Sequence, residues 1–175
     1  MGNEFKDLFG DWEPRDDLRP FDGEDVSGEP ENRLPRDLEE KEVRVVGVYE
    51  HAGTGSPTKS DTFILLQDNH NRKVFIFIGR FEAFAISMAM EGEETERPMT
   101  HDLLKIMLDK LGASVERVII DDIWQDTFYA KLTVSRNSDT FDIDCRPSDA
   151  VAIALRTGAP IFMAEAVIET SQQDI

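Results

Sequence analysis

Asp142 and Asp144 stand two apart in a run that reads as a strand, so their carboxylates share one face at roughly 6–7 Å. Asp149 follows in the turn and helix start directly behind that strand. Oxygen ligands grouped in this way suit a hard divalent cation such as magnesium or manganese, with Glu82 and Asp102 as further donors. The competing reading is structural: Asp142 and Asp144 point to water, while Asp149 and Glu82 complement the positive ends of helix dipoles. Arg80 and Arg146 lie beside the same turns, where each could bind a phosphate or neutralise the acids. His101, next to Asp102, could serve as a base or as a surface residue of a first helical turn. Ser148 has no histidine beside it and reads as a helix cap more readily than a nucleophile. The chain contains no phosphate-binding glycine loop, no HExxH and no GxSxG, which removes the main support for nucleotide hydrolase, zincin and α/β-hydrolase readings.

The elements that must position these groups follow from the hydrophobic period. Val43 to Val48 reads as a strand, and Thr62–Leu66 and Lys73–Ile78 as a hairpin turning at Asp68 to Asn71. Phe81 to Met90 is apolar nearly all round, which predicts a buried central helix. A second helix starts after Pro98 with Thr100 as cap, and its Leu103, Leu104, Met107, Leu108 and Leu111 predict an amphipathic helix covering the core. Val115–Asp121, Thr127–Val134 and Thr140–Cys145 read as strands, and Pro147–Arg156 as another helix apolar on almost every side. A short stretch at Ile161–Met163 and a turn around Val167 and Ile168 close the domain.

A shift of 67 positions lays Ile76, Ile78, Glu82, Ala83, Ala85 and Ile86 on Ile143, Cys145, Asp149, Ala150, Ala152 and Ile153. Each half therefore reads strand, hairpin, helix, and two such units should pair about a pseudo-twofold axis to close one core. The copies differ where Phe75 and Phe77 become Asp142 and Asp144. The expected fold class is α+β, with duplicated strand, hairpin and helix units forming a mixed sheet around buried helices and one extra amphipathic helix.

Residues 1–40 hold 14 Asp/Glu and 5 Lys/Arg, against 36 and 19 in the whole chain, so −9 of the net −17 falls in that segment. Its apolar residues show no period, so residues 1–40 are expected to be a disordered acidic tail, 41–170 a single domain and 171–175 a flexible end. Phe5, Leu8, Phe9 and Trp12 are spaced to make one helical face on a partner protein. The single cysteine, Cys145, and the lack of a long apolar run or signal core point to a cytoplasmic protein that does not enter a membrane. The acidity opposes nucleic acid binding unless a metal or a local basic patch reverses the field.

Ile76-Phe77-Ile78-Gly79 with Glu82-Ala83, then Thr100-His101-Asp102-Leu103-Leu104, Phe128-Tyr129-Ala130 and Asp144-Cys145-Arg146-Pro147-Ser148-Asp149-Ala150 resemble the bifunctional nuclease domain family. The resemblance runs from about Val43 to Glu169, with Cys145 where the family more often has alanine. It implies cleavage of both DNA and RNA, and carries Glu82, His101, Asp102, Asp144, Arg146, Ser148 and Asp149 over as the polar members. Together with the residue chemistry it suggests a divalent metal, magnesium or manganese, between Asp144, Asp149 and Glu82, with Asp142 and Asp102 as further donors. His101 then assists proton transfer, while Arg80, Arg146 and Ser148 hold the substrate. The alternative is a non-catalytic interaction domain, favoured by the acidic surface. Edge strands left by a small duplicated sheet also predict a homodimer or other homo-oligomer.

Overall fold

The computed structural model describes residues 39–52, 60–93 and 95–172. The expected tail lies outside the described residues apart from Glu39 and Glu40, and the expected flexible end is described only at Ser171 and Gln172. Two three-stranded meanders form the bulk of the domain. The first comprises β1 (Glu40–Ala52), β2 (Ser60–Asp68) and β3 (Lys73–Ile78), followed by α1 (Arg80–Glu91) and α2 (Thr100–Leu111). The second comprises β4 (Ala113–Trp124), β5 (Thr127–Arg136) and β6 (Asp139–Cys145), followed by α3 (Pro147–Thr157), β7 (Ile161–Ala164) and α4 (Glu165–Gln172). All strands join one sheet in the order β3-β2-β1-β7-β4-β5-β6. β7 runs antiparallel to β1 and parallel to β4, so this four-residue strand joins the two meanders and makes the sheet mixed. The fold is α+β, as expected.

The duplication is visible in backbone detail. Both β1 and β4 carry a bulge at the matching place: Val45 and Gly47 face Leu66 and Leu65, and Val115 and Arg117 face Val134 and Thr133. Each bulge resets the alternation, so that Val43, Val45 and Val48, and likewise Val115 and Val118, all reach the core. Gly79 and Arg146, 67 positions apart, cap α1 and α3 with nearly the same dihedrals, φ −72°, ψ 158° and φ −71°, ψ 144°.

One face of the sheet sends Ile64, Leu66, Val74, Ile76, Val118, Ile120, Leu132 and Val134 into a single core, met by Ile86 of α1, Ala150 to Ala154 of α3, and Val167 and Ile168 of α4. The turn around Val167 and Ile168 is thus a full helix. Arg72, in the first hairpin turn, pairs with the buried Asp68 at 2.7 Å and with Glu165 at 2.8 Å, which ties α4 to that turn.

Two expectations about helices need correction. Whereas α3 is buried along its length, α1 buries only Ala83, Ala85 and Ile86 and leaves Phe81 88 % exposed. α3 holds the central place between α1 and α2, and its small residues admit only the alanine stripe of α1. The only buried residue of α2 is His101; Leu103, Leu104, Met107 and Leu111 are exposed, and Leu108 alone packs partly on the core. Its apolar stripe therefore does not cover the domain. Thr100 is the first helical residue rather than the cap, which is Met99.

Candidate active site

The two helix starts generated by the duplication meet across the domain. Glu82 sits in the first turn of α1 and Asp149 at the equivalent turn of α3. Arg146, which occupies the position that Gly79 holds in the first half, bridges them. Its Nε donates to Asp149 Oδ2 at 2.7 Å, its Nη2 to Asp149 Oδ1 at 3.1 Å and its Nη1 to Glu82 Oε1 at 3.1 Å. Three of the five guanidinium N–H groups are spent on the acids, which leaves two for a ligand. The side chain is 65 % exposed, so the guanidinium is held in place yet open to solvent.

Behind Asp149, the buried His101 places Nε2 3.2 Å from Asp149 Oδ1. Burial works to raise the Asp149 pKa, but hydrogen bonds from Arg146 and His101 outweigh it and hold the carboxyl below its ordinary value. The same acids raise the Arg146 pKa above its ordinary value, chiefly through the Asp149 hydrogen bond.

His101 is positioned by its neighbour. Asp102 accepts the Met99 N–H at 2.9 Å and the Arg156 Nε at 2.5 Å. Arg156 Nη1 also donates to Ala85 O at 3.0 Å and Ala152 O at 2.9 Å, so one buried guanidinium ties α1, α2 and α3 together next to the site.

A cleft of ≈ 320 Å³ opens beside Arg146, lined by residues 76–79 and Glu82 from the first half and by 126–128 and 146–148 from the second. Ser148 lines it and is buried in the first turn of α3, rather than capping that helix. Arg80 is exposed at the start of α1.

The structure does not bring the expected metal donors together. Asp142 and Asp144 are exposed on β6, directly across from Thr133 and Lys131, and Asp142 accepts the Thr133 hydroxyl at 2.7 Å. They project from the face opposite Ile143 and Cys145, whereas Glu82 and Asp149 meet on the helix side, already bound to Arg146. Asp102 is paired with Arg156. Among the described residues no group of three or more His, Cys, Asp or Glu side chains could hold a metal ion, so the donor arrangement does not fit the cation. Cys145, half-buried, has its thiol pushed up to about 12 by burial and by the nearby Asp144 and Asp149, so it is protonated at neutral pH and unsuited to attack.

Gly79, which the sequence offers only as a member of the Ile76–Gly79 motif, leaves the room that Glu82 occupies. A Cβ built there meets Glu82 Oε2 at 2.2 Å, although φ −72° suits any residue. Gly79→Ala is therefore expected to keep the melting temperature within about 2 °C, since only a flexible carboxylate must move, while lowering any activity of the site about tenfold by unseating Glu82 from Arg146. A variant as active as the parent would show that the Glu82 position is immaterial.

No helix among the described residues is long and apolar enough to cross a membrane. Residues 63–175 match the bifunctional nuclease domain. An uncharacterized protein of Mycobacterium tuberculosis is 42 % identical over 127 residues, covering 73 % of each chain. Bifunctional nuclease 2 of Arabidopsis thaliana is 29 % identical over 99 residues, which cover 55 % of this chain and 30 % of that protein. Bifunctional nuclease 1 of Oryza sativa subsp. japonica is 25 % identical over the same length, with the same coverage. With the matched region spanning both helix starts, the bridging Arg146 and the cleft beside it, the chain belongs to the bifunctional nuclease domain family.

Proposed function

We propose that the protein hydrolyses phosphodiester bonds in DNA and RNA, with Arg146 binding the scissile phosphate. The observation that carries this reading is a solvent-open guanidinium, pinned by two repeat-related acids, with two N–H donors to spare beside a cleft. The first turn of α3 opens on the same cleft and adds the positive end of a helix dipole. In this mechanism Glu82, which lines the cleft and is held there by Arg146, takes a proton from the attacking water as its oxygen bonds to phosphorus; the ester P–O bond breaks and the leaving oxygen is protonated by solvent. Asp149 and His101 keep Arg146 in place. Ser148 and Arg80 complete the substrate contacts. A site that addresses only the backbone has little means of reading bases, so sequence preference should be loose.

The test compares Asp149→Asn with Asp144→Asn on single-stranded DNA and RNA, with and without chelator. Asp149→Asn is expected to lose most of the cleavage and Asp144→Asn to retain it. The reverse result, together with abolition by chelator, would restore a metal centre on β6 with magnesium or manganese as cofactor.

A second reading, a protein-interaction domain, is favoured by the exposed stripes of α1 and α2, where Phe81, Phe84, Leu103, Met107 and Leu111 all face solvent. Self-association through these stripes is the expected result in light scattering. A monomer across a wide concentration range would remove that reading.

A further inference from the structure

The sheet face opposite the helices is not uniform. On its first half, Tyr49 of β1, Phe63 of β2, and Phe75 and Phe77 of β3 project away from the core that Ile64, Leu66, Val74 and Ile76 enter. Phe63 is the centre of the group. Tyr49 stacks on it at 5.7 Å between ring centroids, and Phe75 and Phe77 meet it edge-on at 5.5 and 5.9 Å. Phe77 is 69 % exposed and Tyr49 44 %. At the other end of the same face Arg44 donates to Gln67, which pairs in register with Lys73. From Arg44 to Tyr49, Phe63 to Gln67 and Lys73 to Phe77, this face carries those two cations and no acid, in a chain of net charge −17. Acids resume outside it, at Glu42 beyond Arg44, at Asp61 two residues before Phe63 on β2 and, on the second half, at Asp142 and Asp144.

Phe77 has a second position. It also lines the cleft beside Arg146. The aromatic group thus begins at the mouth of the candidate active site and runs along β3 toward Lys73, about 13 Å for the four residues between them.

We propose that this face is a platform for single-stranded nucleic acid, on which unpaired bases stack against Phe77, Tyr49 and Phe75 while Arg44 and Lys73 meet the backbone phosphates. The inference rests on the hydrolytic reading for its substrate class and deepens it: the strand lies on the platform and enters the cleft at Phe77. Aromatic faces open to water with cations alongside are what sequence-tolerant single-strand binding requires. A local patch without acids also answers the charge objection, because the acids stand at its margins, at Glu42 and Asp61, and on the half bearing Asp142 and Asp144. A purely apolar partner would leave Arg44 and Lys73 without a role.

The test is fluorescence anisotropy with a labelled oligothymidylate, alongside a cleavage assay. Tyr49→Ala with Phe77→Ala is expected to weaken binding roughly five- to hundredfold for each ring lost. Phe81→Ala, which removes a more exposed ring on α1, should leave binding unchanged. If the alanine pair fails to fold by circular dichroism, Tyr49→Leu with Phe77→Leu keeps the apolar bulk and removes the stacking faces. Binding by the folded double variant as tight as the parent's, or no binding by the parent, overturns the proposal. So does a parent dimer that the double variant converts to monomer with oligonucleotide binding intact, which would give the face to a second copy. Ring-dependent binding without cleavage sustains the platform and removes the hydrolytic reading; ring-independent cleavage does the opposite.

Discussion

Arg146→Lys is expected to cost at least about a hundredfold in phosphodiester cleavage while leaving the fold intact. Lysine keeps the charge but offers one compact ammonium in place of the fork that now serves Asp149 with two N–H groups, Glu82 with a third and a ligand with the remainder. It cannot hold both repeat-related acids and a phosphate in one plane. Because the Arg146 side chain is largely exposed, the lost ion pairs are screened and the stability change should stay near 1 kcal/mol. Steady-state cleavage with a thermal melt of the same preparation checks both halves. Activity within a few-fold of the parent would mean that Arg146 merely neutralises its neighbours.

The second large effect is expected on stability. Arg156→Met removes a buried guanidinium that joins Asp102 to Ala85 O and Ala152 O, leaving a carboxylate and two carbonyls to find water. Breaking a buried pair on one side costs about 3–5 kcal/mol, but Asp102 is one-third exposed, so roughly 2–4 kcal/mol is expected. That corresponds to a fall of about 10 °C in melting temperature. Cleavage should fall as well, since α2 then no longer holds His101 against Asp149.

The pH dependence gives this prediction a sign. Burial pushes the Asp102 pKa up, but the hydrogen bonds from Arg156 and the Met99 N–H outweigh it and leave the carboxyl below its ordinary value. A depressed folded-state value contributes stability that is fully present above the unfolded pKa, about 3.9, and is lost as pH falls through the folded one. The gap in urea midpoint between parent and Arg156→Met should therefore be widest near neutrality and narrow below about pH 4. An equal gap at both ends would assign the effect to packing of the arginine stem alone.

Gly79 and Arg146 show where reading residues one by one falls short. The shift of 67 that pairs Glu82 with Asp149 also pairs Gly79 with Arg146, yet the two arginines beside the turns, Arg80 and Arg146, are the ones that invite comparison. The departure from symmetry makes the site: a glycine leaves room for one acid, and an arginine at the matching place reaches it. That much could have been found in the chain, given the repeat. That a guanidinium joins the two acids could not, because charge and spacing along the chain do not say which cation reaches them.

Alternation along β2 to β6, the 3.6-residue period of α2 and the bounded apolar runs of α1 and α3 are local properties, and the sequence by itself determined those elements, the duplication and the α+β class. Which apolar face finds a partner is a non-local matter. The stripe of α2 and the phenylalanines of α1 remain exposed because α3, with its small residues, takes the central place in the core. The four residues of β7 form the join of the sheet only because β1 and β4 both lie alongside them. Asp142 and Asp144 share a face with each other, as strand geometry requires, but the sheet turns that face away from Glu82 and Asp149. Periodicity encodes which side chains point the same way, whereas only closure of the chain in three dimensions sets the distances at which charges pair.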